Sequence, residues 1–63
     1  MSLKERIFEA LDNAVENGYD DDFRAMGDLE LAVDLVTYSS DLEDEEPEDL
    51  VPFIAEYRKE KGW

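Results

Sequence analysis

Hydrophobic residues recur every three or four positions along the first part of the chain. They are Leu3, Ile7, Leu11, Ala14 and Val15. This spacing places them on one face of an α-helix. Ser2 and Glu5 have the spacing of a capping box, and Gly18 can adopt the left-handed conformation that follows many helices. The pattern therefore predicts a first helix over about residues 3–17.

The segment "DLELAVDLVTYSSDL", residues 28–42, is the most apolar part of the chain. Its apolar residues form two adjacent helical faces: Leu29, Ala32, Val33 and Val36 on one, and Leu31, Leu35, Tyr38 and Leu42 on the other. The β-branched residues would also suit a strand, but the acids at positions 30, 34 and 41 keep helical phase. We predict a second helix over about residues 22–40, with a break or kink near Gly27, because glycine weakens helix interiors.

The next segment, "SSDLEDEEPEDL", contains seven acidic residues among twelve and no basic residue. It interrupts the apolar periodicity, which indicates a solvated loop over about residues 41–49. Pro52 suits the first turn of a helix, so a third helix is expected over about residues 50–61. The sequence thus predicts one small domain, residues 1–63, with an all-α fold: a three-helix arrangement with an acidic loop before the last helix.

The composition excludes most catalytic chemistry. The 63 residues include neither cysteine nor histidine, so disulfides, thiol chemistry and the commonest general base are absent. Two candidate calcium loops, starting at Asp20 and Asp41, fail because Ala25 and Glu46 occupy the position that requires glycine. We predict a protein that is not an enzyme and has no cofactor or metal. Because no apolar run approaches the ~20 residues that span a bilayer, a cytoplasmic location is expected.

The net charge of −13, from 19 acidic and 6 basic residues, is the strongest indication of function. Such a charge repels nucleic acids and anionic membranes and attracts cationic surfaces. Residues 25–57 contain eleven acids and no base. The predicted partner is therefore a protein with a basic surface, and a nucleic-acid-binding protein is the most economical choice. Direct contact with nucleic acid or membrane is not expected.

Six acidic residues are the predicted partner-binding site. They are Glu30, Asp34 and Asp41 from the central stripe, and Asp44, Glu45 and Glu46 from the acidic loop. Carboxylates four residues apart on a helix are separated by about 6 Å along its axis, and duplex DNA carries one charge per about 1.7 Å. The chain resembles, in size and charge, small acidic helical proteins of phages and mobile elements, such as restriction inhibitors that imitate DNA. That likeness is one of composition, so it implies no residue roles.

Two other interpretations stay open. The acidic stripes could be the ordinary solvated faces of amphipathic helices. The wide apolar surface of the central helix could instead support a structural or assembly module that forms a homodimer. Tyr19 and Trp63 are further candidates for exposed aromatic anchors.

Overall fold

The computed structural model describes residues 2–63, which contain four helices. The helices are α1 (Leu3–Glu16), α2 (Asp20–Ala25), α3 (Asp28–Tyr38) and α4 (Pro47–Lys61). The bundle measures 26 × 21 × 21 Å, with a radius of gyration of 10.3 Å. The predicted all-α fold is confirmed, and the described residues contain no strand.

Helix α1 begins and ends where its local sequence requires. The Ser2 hydroxyl accepts a hydrogen bond from the Glu5 amide at 3.2 Å, and the Glu5 carboxylate accepts one from the Ser2 amide at 3.3 Å. The Ser2 amide, and then the Ser2 hydroxyl at 3.0 Å, donate to the Glu5 carboxylate, and these two bonds lower the pKa of Glu5. Beyond the helix, Gly18 has a φ of +90°, and Tyr19 donates back to the Ala14 carbonyl at 3.1 Å. The capping box and the glycine thus fix both ends.

The break near Gly27 is confirmed, and it divides the predicted second helix into two. Helix α2 ends at Ala25, Met26 and Gly27 are extended, and α3 begins at Asp28. Arg58 of α4 holds this junction. Its guanidinium donates to the carbonyls of Phe23 at 3.1 Å and Met26 at 2.7 Å.

Arg58 also contacts the start of α3. Its Nε atom lies 2.7 Å from Oδ1 of Asp28 but off the direction of the N–H bond, so this contact is an ion pair without a directed hydrogen bond. Because the partly buried Arg58 donates hydrogen bonds to the end of α2 and forms an ion pair with Asp28 of α3, it ties both helices to α4.

One apolar core joins the four helices. Its buried members are Ile7, Leu11, Phe23, Leu31, Ala32, Leu35, Leu42, Leu50, Ile54 and Tyr57. Helices α3 and α4 make the most extensive pairing, and α1 packs on α4. Only one side of α3 is covered, because Leu29, Val33 and Tyr38 are 56%, 46% and 83% exposed. Part of the apolar surface of α3 therefore lies outside the core and is exposed to solvent.

The last helix starts earlier than the sequence indicated. Helix α4 begins at Pro47, so residues 47–49, predicted as loop, are helical. Proline needs no amide partner at the first helical position, and Glu48 and Asp49 favour the positive end of the helix dipole. Pro52 lies inside the helix and cannot donate to the Glu48 carbonyl. Both residues are exposed, so water can satisfy that carbonyl.

The acidic segment between α3 and α4 is anchored to the core. Leu42 is fully buried, and its amide donates to the Ser39 carbonyl at 3.1 Å in a tight turn. Arg6 of α1 donates to the main-chain carbonyl of Asp41 and lies 3.4 Å from the Glu45 carboxylate. The segment is therefore shorter and more constrained than the predicted solvated loop over 41–49.

Replacing Arg58 with alanine should destabilise the fold by about 2–3 kcal/mol, because the Met26 carbonyl loses its Arg58 donor and the Phe23 carbonyl keeps only the Met26 amide, at 3.3 Å. The neighbouring exposed Lys59→Ala variant changes the net charge equally and should cost less than about 0.5 kcal/mol. Urea unfolding followed by circular dichroism measures both. Equal losses for the two variants would show that Arg58 acts only through its charge.

Candidate protein-interaction surface

Most of the acidic residues have no basic partner among residues 2–63. The ion pairs are Lys4–Glu56 at 2.7 Å, Arg6–Glu45 at 3.4 Å, Arg58–Asp28 at 2.7 Å and Lys61–Asp12 at 3.6 Å. Four of the 19 acidic residues lie in these pairs, and the other fifteen have no Lys or Arg partner among residues 2–63. Their charge is balanced only by ions from solvent or by a bound partner.

Several of the basic side chains serve contacts between helices. Lys4 links α1 to α4 through Glu56, and this hydrogen bond, followed by the charge of Glu56, raises the pKa of Lys4. Arg6 links α1 to the acidic segment, and Arg58 holds the α2–α3 junction. These cations therefore stabilise the fold instead of forming a basic surface.

The two predicted site residues on α3 share a helix face. Glu30 and Asp34 are one turn apart; Glu30 is exposed and Asp34 is partly buried. Asp41 does not continue this helical stripe, because α3 ends at Tyr38 and the chain becomes extended at Ser39. The predicted single stripe of residues 30, 34 and 41 is therefore interrupted.

The other predicted site residues lie in the segment that follows α3. Asp41, Asp44 and Glu46 are exposed. Glu45 is partly buried and pairs with Arg6, so its charge is already shared. Of the predicted site residues in this segment, Asp41, Asp44 and Glu46 are therefore available to a partner.

An apolar cleft, which was not predicted from the sequence, lies between α1, α2 and α3. The cleft has a volume of about 560 Å³. Its apolar lining comes from Ala10, Ala14, Phe23, Met26 and Leu35. The small alanine side chains of α1 face the larger side chains of α2 and α3, which leaves room between the helices.

Two tyrosines and two carboxylates also line the cleft. Tyr19 and Tyr38 are the strongly exposed aromatic residues among them, and Asp22 and Asp34 supply negative charge without a basic partner among the described residues. The ring of Tyr19 stacks on Phe23 with centroids 6.3 Å apart. Tyr19 was a candidate anchor from the sequence, but its neighbours in the cleft could be identified only from the packing of the helices.

A second polar cluster, at α1 and α4, has a structural role. The Tyr57 hydroxyl donates to Oδ1 of Asp12 at 2.7 Å. Burial, together with the negative Asp12, raises the pKa of Tyr57 far above its usual value. The rings of Phe8 and Trp63 pack against Tyr57 with centroids 5.1 and 5.6 Å away. Trp63 therefore folds back onto the core.

Other kinds of site find little support in residues 2–63. Within that range, no three acidic residues are arranged to hold a metal ion. No helix in the described part is long and apolar enough to cross a membrane. Comparisons with protein-family models, curated proteins and solved structures find no match to this chain.

Salt should stabilise this protein. Raising NaCl from about 20 mM to about 500 mM shortens the Debye length from about 20 Å to about 4 Å. This screening weakens the mutual repulsion of the carboxylates, so we expect the midpoint of thermal unfolding to rise by about 5–10 °C. Circular dichroism at neutral pH measures the midpoint.

A variant with fewer unpaired acids is the control for this salt effect. Glu9→Gln, Glu16→Gln, Glu43→Gln and Glu48→Gln together remove four exposed charges. The combined variant should gain less from added salt than the unmodified chain. A midpoint that falls with salt would mean that the ion pairs outweigh the repulsion.

Proposed function

We propose that this chain is a noncatalytic interaction protein that binds a basic surface of another protein and blocks or modulates that surface. The observation that supports it is the set of fifteen acidic residues without an internal basic partner, carried by a bundle only 26 Å long. Such a field accelerates association with a cationic surface and favours partners of opposite charge. A cytoplasmic location is part of this proposal.

A nucleic-acid-binding protein is the proposed partner because of the density of charge. A duplex as long as the bundle, 26 Å, carries about 15 phosphate charges, at one charge per ~1.7 Å. The chain carries a net charge of −13 over the same length. A groove that binds duplex DNA would therefore meet a comparable charge on this protein. In its sharper form the proposal is a DNA mimic, of the kind that phages and mobile elements use, that inhibits such a partner.

The proposed contact residues contribute unequally. Glu30, Asp41, Asp44 and Glu46 are exposed and can meet a partner directly. Asp34 is partly buried, so it contributes at the margin of the cleft. Glu45, shared with Arg6, should contribute least because a partner must compete with an existing ion pair.

Charge reversal at the proposed surface tests this function. The immobilised chain is incubated with cell extract, and bound proteins are eluted with a gradient of NaCl. The variant with Glu30→Lys, Asp34→Lys and Asp41→Lys should bind the captured protein at least tenfold more weakly, because attraction becomes repulsion at three contacts. Added duplex DNA should release the partner if that partner binds nucleic acid.

A matched control distinguishes the effect of the proposed contact residues from the effect of the net charge. Reversing three exposed acids of α1 and α4, Glu9, Glu16 and Glu60, changes the net charge equally. This control should weaken binding much less. Equal losses of affinity in the two variants would show that the proposed residues are not the contact site and that net charge alone drives binding. Proteins that are retained regardless of salt would contradict the proposed function itself.

A second candidate function is a homodimeric assembly module. It is favoured by the exposure of Leu29 and Val33, which lie one turn apart on α3 beside the half-buried Val36. Repulsion opposes this pairing, because each copy brings a charge of −13. The basic-partner function is therefore the better supported of the two.

Sedimentation velocity at two protein concentrations, in about 500 mM NaCl to screen repulsion, tests the dimer. If α3 forms the interface, the unmodified chain should sediment as a dimer at the higher concentration. The variant with Leu29→Ser and Val33→Ser should remain monomeric. A monomer at both concentrations excludes the assembly module.

A further inference from the structure

The cleft between α1, α2 and α3 has the size and lining of a binding site. Its volume of about 560 Å³ falls within the range of about 300–1,000 Å³ that ligand pockets occupy. Phe23 and Leu35, both buried core residues, form part of its wall, so this part of the cleft is apolar. An apolar cleft of this kind favours an occupant with large apolar side chains.

The margins of the cleft define the charge of that occupant. Asp22 and Asp34 border it on opposite helices, and neither has a basic partner among the described residues. Asp20 and Asp21 add charge on α2, and the exposed Arg24 offsets only part of it. A positively charged ligand is therefore favoured at both margins.

The two exposed tyrosines point to the same kind of ligand. Tyr19 is 52% exposed and Tyr38 is 83% exposed, although both lie beside apolar side chains. Aromatic faces bind Lys and Arg cations, and exposed tyrosines are common anchors in protein interfaces. They can contact both the apolar stems and the charged ends of such side chains.

We propose that this cleft binds a basic amphipathic helix of the partner protein. The apolar side chains of that helix enter the cleft, and its flanking Lys or Arg side chains contact Asp22 and Asp34. A second copy of this chain is a poor occupant, because its net charge is −13. The chain's own basic segment, Arg58–Lys61, is already part of α4. The inference rests on the proposed function and adds the chemistry of the bound segment.

Two synthetic peptides of the same composition test the inference with the full chain. The first is a helix of about 14 residues with Leu and Phe on one face and Lys on the other. The second redistributes the same residues so that no apolar face forms. Fluorescence anisotropy should show about tenfold tighter binding of the first peptide, and this preference should persist in high salt because it reflects apolar burial.

Variants of the cleft locate the binding. Asp22→Asn with Tyr38→Ser alters the cleft and leaves the core in place, because Asp22 and Tyr38 are both exposed. The matched control is Asp49→Asn with Leu29→Ser. Asp49 is an acid in the first turn of α4, Leu29 is an exposed apolar residue of α3, and both lie outside the cleft. The cleft variant should reduce the preference to about twofold or less, whereas the control should keep it. Circular dichroism checks that both variants are folded.

The outcomes distinguish the inference from the proposed function. If both peptides bind equally in low salt, or if the cleft variant keeps the full preference, the cleft is not the site and the inference fails, while binding of basic partners stands. If neither peptide binds even in low salt, the proposed function fails as well. A preference lost only in the cleft variant supports the inference.

Discussion

Burial of a small apolar core has to overcome the mutual repulsion of a highly charged surface, and the rest of the structure depends on this balance. Ten buried side chains supply the attraction, with no buried charged residue among the described positions. A chain of this length buries only about 60% of its unfolded surface, so each buried side chain matters. The placement of Leu42 in the core is one consequence. It draws the acidic segment against α1, although that segment would otherwise be repelled.

The same balance explains how the few cations are used. Arg58 could have lain at the surface as one of several charges near the end of α4. Instead it bonds to two carbonyls at the α2–α3 junction and contacts Asp28. Arg6 does similar work for the acidic segment. Four of the six cations pair with one carboxylate each between elements, so the other fifteen carboxylates have no Lys or Arg partner among residues 2–63. Stability and the acidic field therefore follow from one distribution of charge.

Local sequence patterns predicted the helices themselves better than they predicted how the helices pack together. The ends of α1 followed from Ser2, Glu5 and Gly18, because caps act within one turn of the chain. The predicted start of α4 was wrong, because Pro52 suits a first helical turn, whereas Pro47 holds the first position of α4 and Pro52 lies inside the helix. The acids of the candidate surface were visible in the sequence, but the sharing of Glu45 with Arg6 joins positions 39 residues apart. The cleft depends on three helices meeting, and no local pattern encodes that.

The cleft and the unpaired acids together bear on specificity. Charge alone attracts any cationic surface and discriminates weakly between partners, because exposed charges act through screened, long-range fields. An apolar cleft adds a requirement of shape and of apolar side chains at a defined position. In this chain Asp22 and Asp34 border the cleft, so both requirements are met at one place. Under the proposed function, the exposed acids would speed the approach of a basic partner, and the cleft would select among such partners. A surface with only the acids would attract basic partners but would not select among them.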